Sequence, residues 1–90
     1  MKMYYIAVYD IASPGRLQRA LKTYRKYLHW TQNSSFEGEL NEGQFAKLRE
    51  ELNRIIKKKE DSLIFYIAEN KRFITKKLIG TEKNETSQYF

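Results

Sequence analysis

The apolar positions along the chain change period several times, and each change marks an element. Met3 to Ile11 carries Tyr, Ile, Ala and Val on both faces of an extended run containing Asp10 at its carboxyl end, the pattern of a strand covered on each side. Ser13-Pro14 then offers an N-cap and a favoured first helical residue, and Leu17, Ala20, Leu21, Tyr24 and Leu28 recur at helical spacing, which predicts a helix starting near Pro14. From Trp30 to Leu40 the period drops to two, with Trp30, Gln32, Ser34, Phe36, Gly38 and Leu40 on one face. The polar centre Gln32-Asn33-Ser34-Ser35 leaves two readings, one long strand or two short strands joined by a bend. Asn41-Glu42-Gly43-Gln44 reads as a capping box ahead of a second helix with the stripe Phe45, Leu48, Leu52, Ile55 and Ile56, which runs out in the charged stretch from Lys57 to Asp61. Ser62 to Ala68 is the next strand. A turn at Glu69-Asn70-Lys71 leads to a last strand, Phe73 to Ile79, and Gly80 opens a polar tail.

That order predicts an α+β fold, the ferredoxin-like sandwich (βαββαβ) with an additional C-terminal strand, over residues 1–79, followed by the tail 80–90. Composition adds two constraints. Ninety residues without cysteine bury only about two thirds of their unfolded surface and have no disulfide or thiolate chemistry. Seven Tyr, five Phe and one Trp are more large aromatics than so small a core needs, so some are expected to cover a partner, and a homodimer follows. No apolar run has membrane-helix length and no secretory leader precedes the first strand, so the expectation is a cytoplasmic protein with no membrane partner.

The net charge of +6 predicts attraction to a polyanion, nucleic acid first. The charge is uneven: residues 1–29 carry +5, and Arg16, Arg19, Lys22, Arg25 and Lys26 follow one another with no acid between Asp10 and Glu37. Such residues form either a solvated helix face or a phosphate-contacting one. Asp10, at the carboxyl end of a strand and just before a helix, stands where open sheets place ligand-contacting groups, although a capping acid stands there too. One carboxylate is too few for magnesium unless a two-fold axis brings a second Asp10 beside the first. His29 lacks a spaced second ligand. Ser34 and Ser35 lack a nucleophile elbow, so contact to phosphate or metal-bound water suits them better. Tyr9 and Phe36 are candidates for stacking on bases or for a core or interface. Walker loops and dinucleotide glycine fingerprints are absent.

Three blocks, Tyr5-Ile6-Ala7-Val8-Tyr9-Asp10-Ile11 followed by Arg16, the run from Gln32 to Asn41, and Asp61-Ser62-Leu63-Ile64-Phe65-Tyr66, together resemble the Cas2 family, the small CRISPR-associated adaptation protein, over about residues 3–79. The resemblance implies a homodimer that partners the CRISPR integrase in spacer acquisition and holds double-stranded DNA. It also implies an endonuclease of single-stranded RNA or double-stranded DNA that uses Mg2+ or Mn2+, with Asp10 as catalytic and metal-binding residue paired to its symmetry mate. Tyr9, Arg16, Arg19, Ser34 and Phe36 are the residues expected beside nucleic acid, Arg16, Ser34 and Phe36 by their match to family positions. The chain departs from the pattern at Trp30, where many relatives carry Arg, and at Ser35, where many carry a β-branched residue. A non-catalytic DNA-binding scaffold and a toxin-like ribonuclease of the same fold are the alternatives. An RNA-recognition module shares the element order, but its aromatic strand motif is missing before Leu40.

Overall fold

Lys2–Asp10 form β1 in the computed structural model, which describes residues 1–81. The chain continues as α1 (Pro14–Arg25), β2 (His29–Gln32), β3 (Ser35–Asn41), α2 (Glu42–Ile55) and β4 (Ser62–Ala68), ending in a short 3-10 turn at Lys71–Phe73. The four strands make one antiparallel sheet in the order β2-β3-β1-β4, with Ala7 opposite Phe36 on one side and Phe65 on the other. The ferredoxin-like sandwich expected from the sequence is the architecture found.

Local chemistry starts both helices where the sequence places them. The Ser13 hydroxyl accepts the Arg16 amide at 3.4 Å, with Pro14 leading α1. The Asn41 side chain accepts the Gln44 amide at 2.8 Å while the Gln44 side chain accepts the Asn41 amide at 2.9 Å, closing the capping box of α2.

Both helices lie on one sheet face. Tyr24 of α1 stacks on Phe36 at 4.9 Å between ring centroids and on Tyr9 at 5.5 Å, while Phe45 of α2 stacks on Tyr5 at 4.4 Å and meets Phe65 edge-on at 5.1 Å. Leu48, Leu52, Leu28, Leu40 and Ala20 complete this buried layer. The alternation predicted from Trp30 onward is interrupted at Thr31, where the β2–β3 register shifts between Trp30 and Gln32, and again at the Asn33-Ser34 turn. Asn33 takes φ 45°, a left-handed geometry that asparagine tolerates better than most residues.

The expected last strand, Phe73 to Ile79, does not form within the subunit. The Asn70 side chain accepts the Arg72 amide at 3.0 Å and starts the 3-10 turn, which diverts the chain from the edge of β4. Residues 74–78 then line a cavity of about 490 Å³ over the helix-free sheet face, with Ile6, Val8 and the β2–β3 turn as its other walls. Lys76 pairs there with the buried Glu37, which also accepts the Tyr4 hydroxyl at 2.8 Å. The tail from residue 80 lies outside the described residues beyond Thr81.

Candidate functional site

β1 carries Asp10 to the end of the sheet, opposite Ser62 of β4 and exposed, with no hydrogen-bond or ion-pair partner among the described residues. The side chain belongs to the helix-free face, since Tyr9 before it points under α1. Tyr9 ties this end of β1 to the β2–β3 turn: its amide donates to the Ser34 carbonyl at 3.0 Å and its hydroxyl to the Asn33 carbonyl at 3.2 Å. Burial pushes the Tyr9 phenol above its ordinary value, so it remains a protonated donor at neutral pH. The Trp30 indole N–H donates to the same Asn33 carbonyl at 3.1 Å. Trp30 therefore secures the turn that presents Ser34.

Of the residues expected beside nucleic acid, the fold brings Tyr9 and Ser34 to Asp10 and leaves Ser34 exposed. Phe36 is wholly buried between Tyr24 and Tyr9, so within the subunit it has no free face for a base. Arg19 is exposed on α1 together with Lys22 and Arg25, and none of the three has an ion-pair partner among the described residues. Lys26, next in the series, is paired with Glu51, which also accepts the Tyr27 hydroxyl, and these two donors hold the Glu51 carboxyl below its usual value.

Arg16 is turned the other way. Its Nε donates to Asp61 Oδ2 at 2.8 Å, and its Nη2 donates to Asp61 Oδ1 and to Glu60 Oε1, both at 3.0 Å. Asp61 accepts two further donors, the Ala12 amide at 2.9 Å and the Lys57 amide at 2.8 Å. The Arg16 guanidinium, helped by those amides, holds the Asp61 carboxyl far below the ordinary carboxylate range against the opposing effect of burial. Asp61 is the functional neighbour that sequence reasoning missed. Within the charged run from Lys57 it looks solvated, and only its place directly before an apolar strand, at the head of the third resembling block, distinguishes it.

A divalent cation takes several oxygens. Among the described residues no group of three or more His, Cys, Asp or Glu side chains could hold one. Asp61 offers no spare lone pair, which leaves Asp10 as a single carboxylate per subunit, a set that fits a metal only when a second copy doubles it. Ferredoxin-like topology, an acid at the end of a central strand that is unpaired among the described residues, and a basic helix starting four residues later define a small α+β sandwich that sets a carboxylate beside a cationic helix.

Comparison with known proteins makes the assignment specific. The chain belongs to the Cas2 family: the model for CRISPR associated protein Cas2 matches residues 3–75. A Dictyoglomus turgidum protein named CRISPR-associated endoribonuclease Cas2 is 44% identical over 86 residues, covering 96% of this chain and 98% of that one. A Thermotoga maritima protein of the same name is 43% identical over 88 residues, covering 98% of this chain and all of that one at 100%. A solved structure described as a crystal structure of Cas2 superposes with a TM-score of 0.84 at 40% identity, covering 92% of each chain.

Proposed function

We propose that this protein acts in CRISPR adaptation as a homodimer that binds nucleic acid through α1, partners the CRISPR integrase in spacer acquisition and cleaves phosphodiester bonds with a divalent metal. The observation that carries this reading is Asp10, an exposed carboxylate with no partner among the described residues, beside a helix whose Arg19, Lys22 and Arg25 are also unpaired. The endoribonuclease name of the relatives supports the nuclease part, with single-stranded RNA and double-stranded DNA as substrate classes.

Three features support a dimer. Ile64 and Tyr66 of β4 are 46% and 57% exposed on the helix-free face. Among the described residues the outer edge of β4 has no strand against it, and residues 74–79 lie outside every ladder. Two Asp10 carboxylates related by a two-fold axis would hold Mg2+ or Mn2+, which supplies a polarised water and offsets charge on the scissile phosphate. Arg19 and Lys22 meet the phosphate backbone and the Ser34 hydroxyl orients it at the acid. The small domain has no helix, among the described residues, long and apolar enough to cross a membrane, which accords with a cytoplasmic setting.

The test is Asp10→Asn. Metal-dependent cleavage should vanish while the dimer mass and nucleic-acid affinity persist, and full cleavage by the purified variant would sink the nuclease reading. A non-catalytic scaffold is the second reading, favoured because no group of three or more His, Cys, Asp or Glu side chains among the described residues could hold a metal. It predicts salt-sensitive duplex binding and integrase capture, both weakened by Arg19→Glu with Lys22→Glu, and no cleavage with any metal.

A further inference from the structure

The Arg16–Asp61 contact reaches the backbone at Ala12, two residues from the proposed metal acid, and has no place in the function so far. Each Asp61 oxygen accepts two N–H groups, one from Arg16 and one from the backbone, so the roughly four lone-pair sites of the carboxylate are all filled. Its side chain is 0% exposed, and that of Arg16 only 11%. One fork of the guanidinium, Nε with Nη2, is closed on Asp61, and the second N–H of Nη2, which the end-on fork with Nη1 would need, is taken by Glu60, so neither fork is open to a phosphate. A phosphate that took this arginine would strip a buried carboxylate of its counter-ion, a costly exchange.

The backbone donors give the contact its direction. Ala12 lies in the bend between β1 and α1, two residues after Asp10, and Lys57 lies just past the end of α2. One carboxylate thus ties the Asp10 turn to the connection leading into β4, and the planar fork of Arg16 keeps that carboxylate in place.

We infer that Arg16 is a positioning residue, not a phosphate contact: by gripping Asp61 it fixes the Ala12 amide and so sets the direction in which the Asp10 carboxylate is presented. The inference deepens the proposed function and rests on its use of Asp10. Lysine cannot replace the fork, because a point charge on a flexible stem does not span both oxygens of one carboxylate, whereas lysine is an adequate phosphate ligand.

The experiment uses Arg16→Lys, Arg16→Gln, Asp61→Asn and, as a phosphate-contact control, Arg19→Ala in the full chain. Amide exchange at Ala12, the salt dependence of duplex binding, and kcat and KM for cleavage are measured. Arg16→Lys, Arg16→Gln and Asp61→Asn should each speed Ala12 exchange about tenfold, the effect of one lost hydrogen bond. Arg16→Gln should keep the wild-type slope of log K against log salt, while Arg19→Ala lowers it by about 1 and leaves Ala12 protected. In cleavage, Arg16→Lys should lower kcat with KM unchanged. Wild-type Ala12 protection in Arg16→Lys, or a slope lowered by about 1 in Arg16→Gln, overturns the inference. If Asp61→Asn fails to fold, the two Arg16 variants decide alone. Exchange and salt slope need no catalysis, so a wild type that cleaves nothing removes the nuclease reading and leaves the Arg16 result to be judged on its own.

Discussion

Phe36 shows how a residue's type and place in a pattern fall short of its role. Alternation marks it as belonging to one face of a strand and says nothing about which face the helices cover. The structure puts it in the core, with Tyr24 stacked on it nearly parallel at 10°. Phe36→Ala should therefore cost about 3–5 kcal/mol in urea unfolding. Phe36→Leu should fold and bind nucleic acid with unchanged affinity; a folded Leu variant that binds weakly would return Phe36 to a base-stacking role. Asp61 was illegible for another reason, since its partner Arg16 is 45 residues away and a charged run gives no sign of one buried member. Its pH signature follows from its lowered folded value. The stabilisation is fully present above the ordinary carboxylate value near ~4 and is lost as pH falls through that range toward the much lower folded value. The urea midpoint of Asp61→Asn should lie below wild type by a constant amount from about pH 5 to 8, and the gap should narrow only below about pH 4.

At the scale of elements, the signals that are local in the chain are the ones the sequence states clearly. Ser13-Pro14 and the Asn41–Gln44 box act within three or four residues, and both helices begin there. Asn41→Ala should lower stability by about 1 kcal/mol in chemical denaturation, through the lost acceptor for the Gln44 amide, while Asn41→Asp should retain most of it. The stretch after β4 fails as a strand because a strand needs a neighbour as well as a pattern. Phe73, Ile74, Leu78 and Ile79 supply apolar residues at both ends of the segment, but Asn70 caps a turn that sends it across the sheet, and Lys76 meets Glu37, a partner 39 residues earlier. Period and composition describe a segment's own faces; they carry no information about which edge is free to receive it. The same limit hid the Thr31 register shift, where the alternation on paper continues and the ladder does not.

For the whole molecule, the distribution of charge and the exposed β4 part of the helix-free sheet face point to different partners. The acid-free helix faces solvent with three cations that have no ion-pair partner among the described residues, whereas the helix-free sheet face offers Ile64 and Tyr66, apolar and half exposed. Burying the second surface against a copy of itself would leave the first free for nucleic acid and could bring a second Asp10 to a shared site. Ile64→Asp isolates this step. The residue is already 46% exposed in the subunit, so a charge there costs the monomer's fold little, but facing its own copy across a two-fold axis it would be desolvated and repelled. Sedimentation should show wild type as a dimer and Ile64→Asp as a folded monomer with a wild-type circular dichroism spectrum. Cleavage should then disappear along with the dimer, while weak, salt-sensitive nucleic-acid binding survives on α1 because Arg19, Lys22 and Arg25 belong to each subunit separately. A monomeric variant that still cuts at the wild-type rate would mean that a single Asp10 suffices, and the metal would then have to draw its remaining ligands from water and substrate.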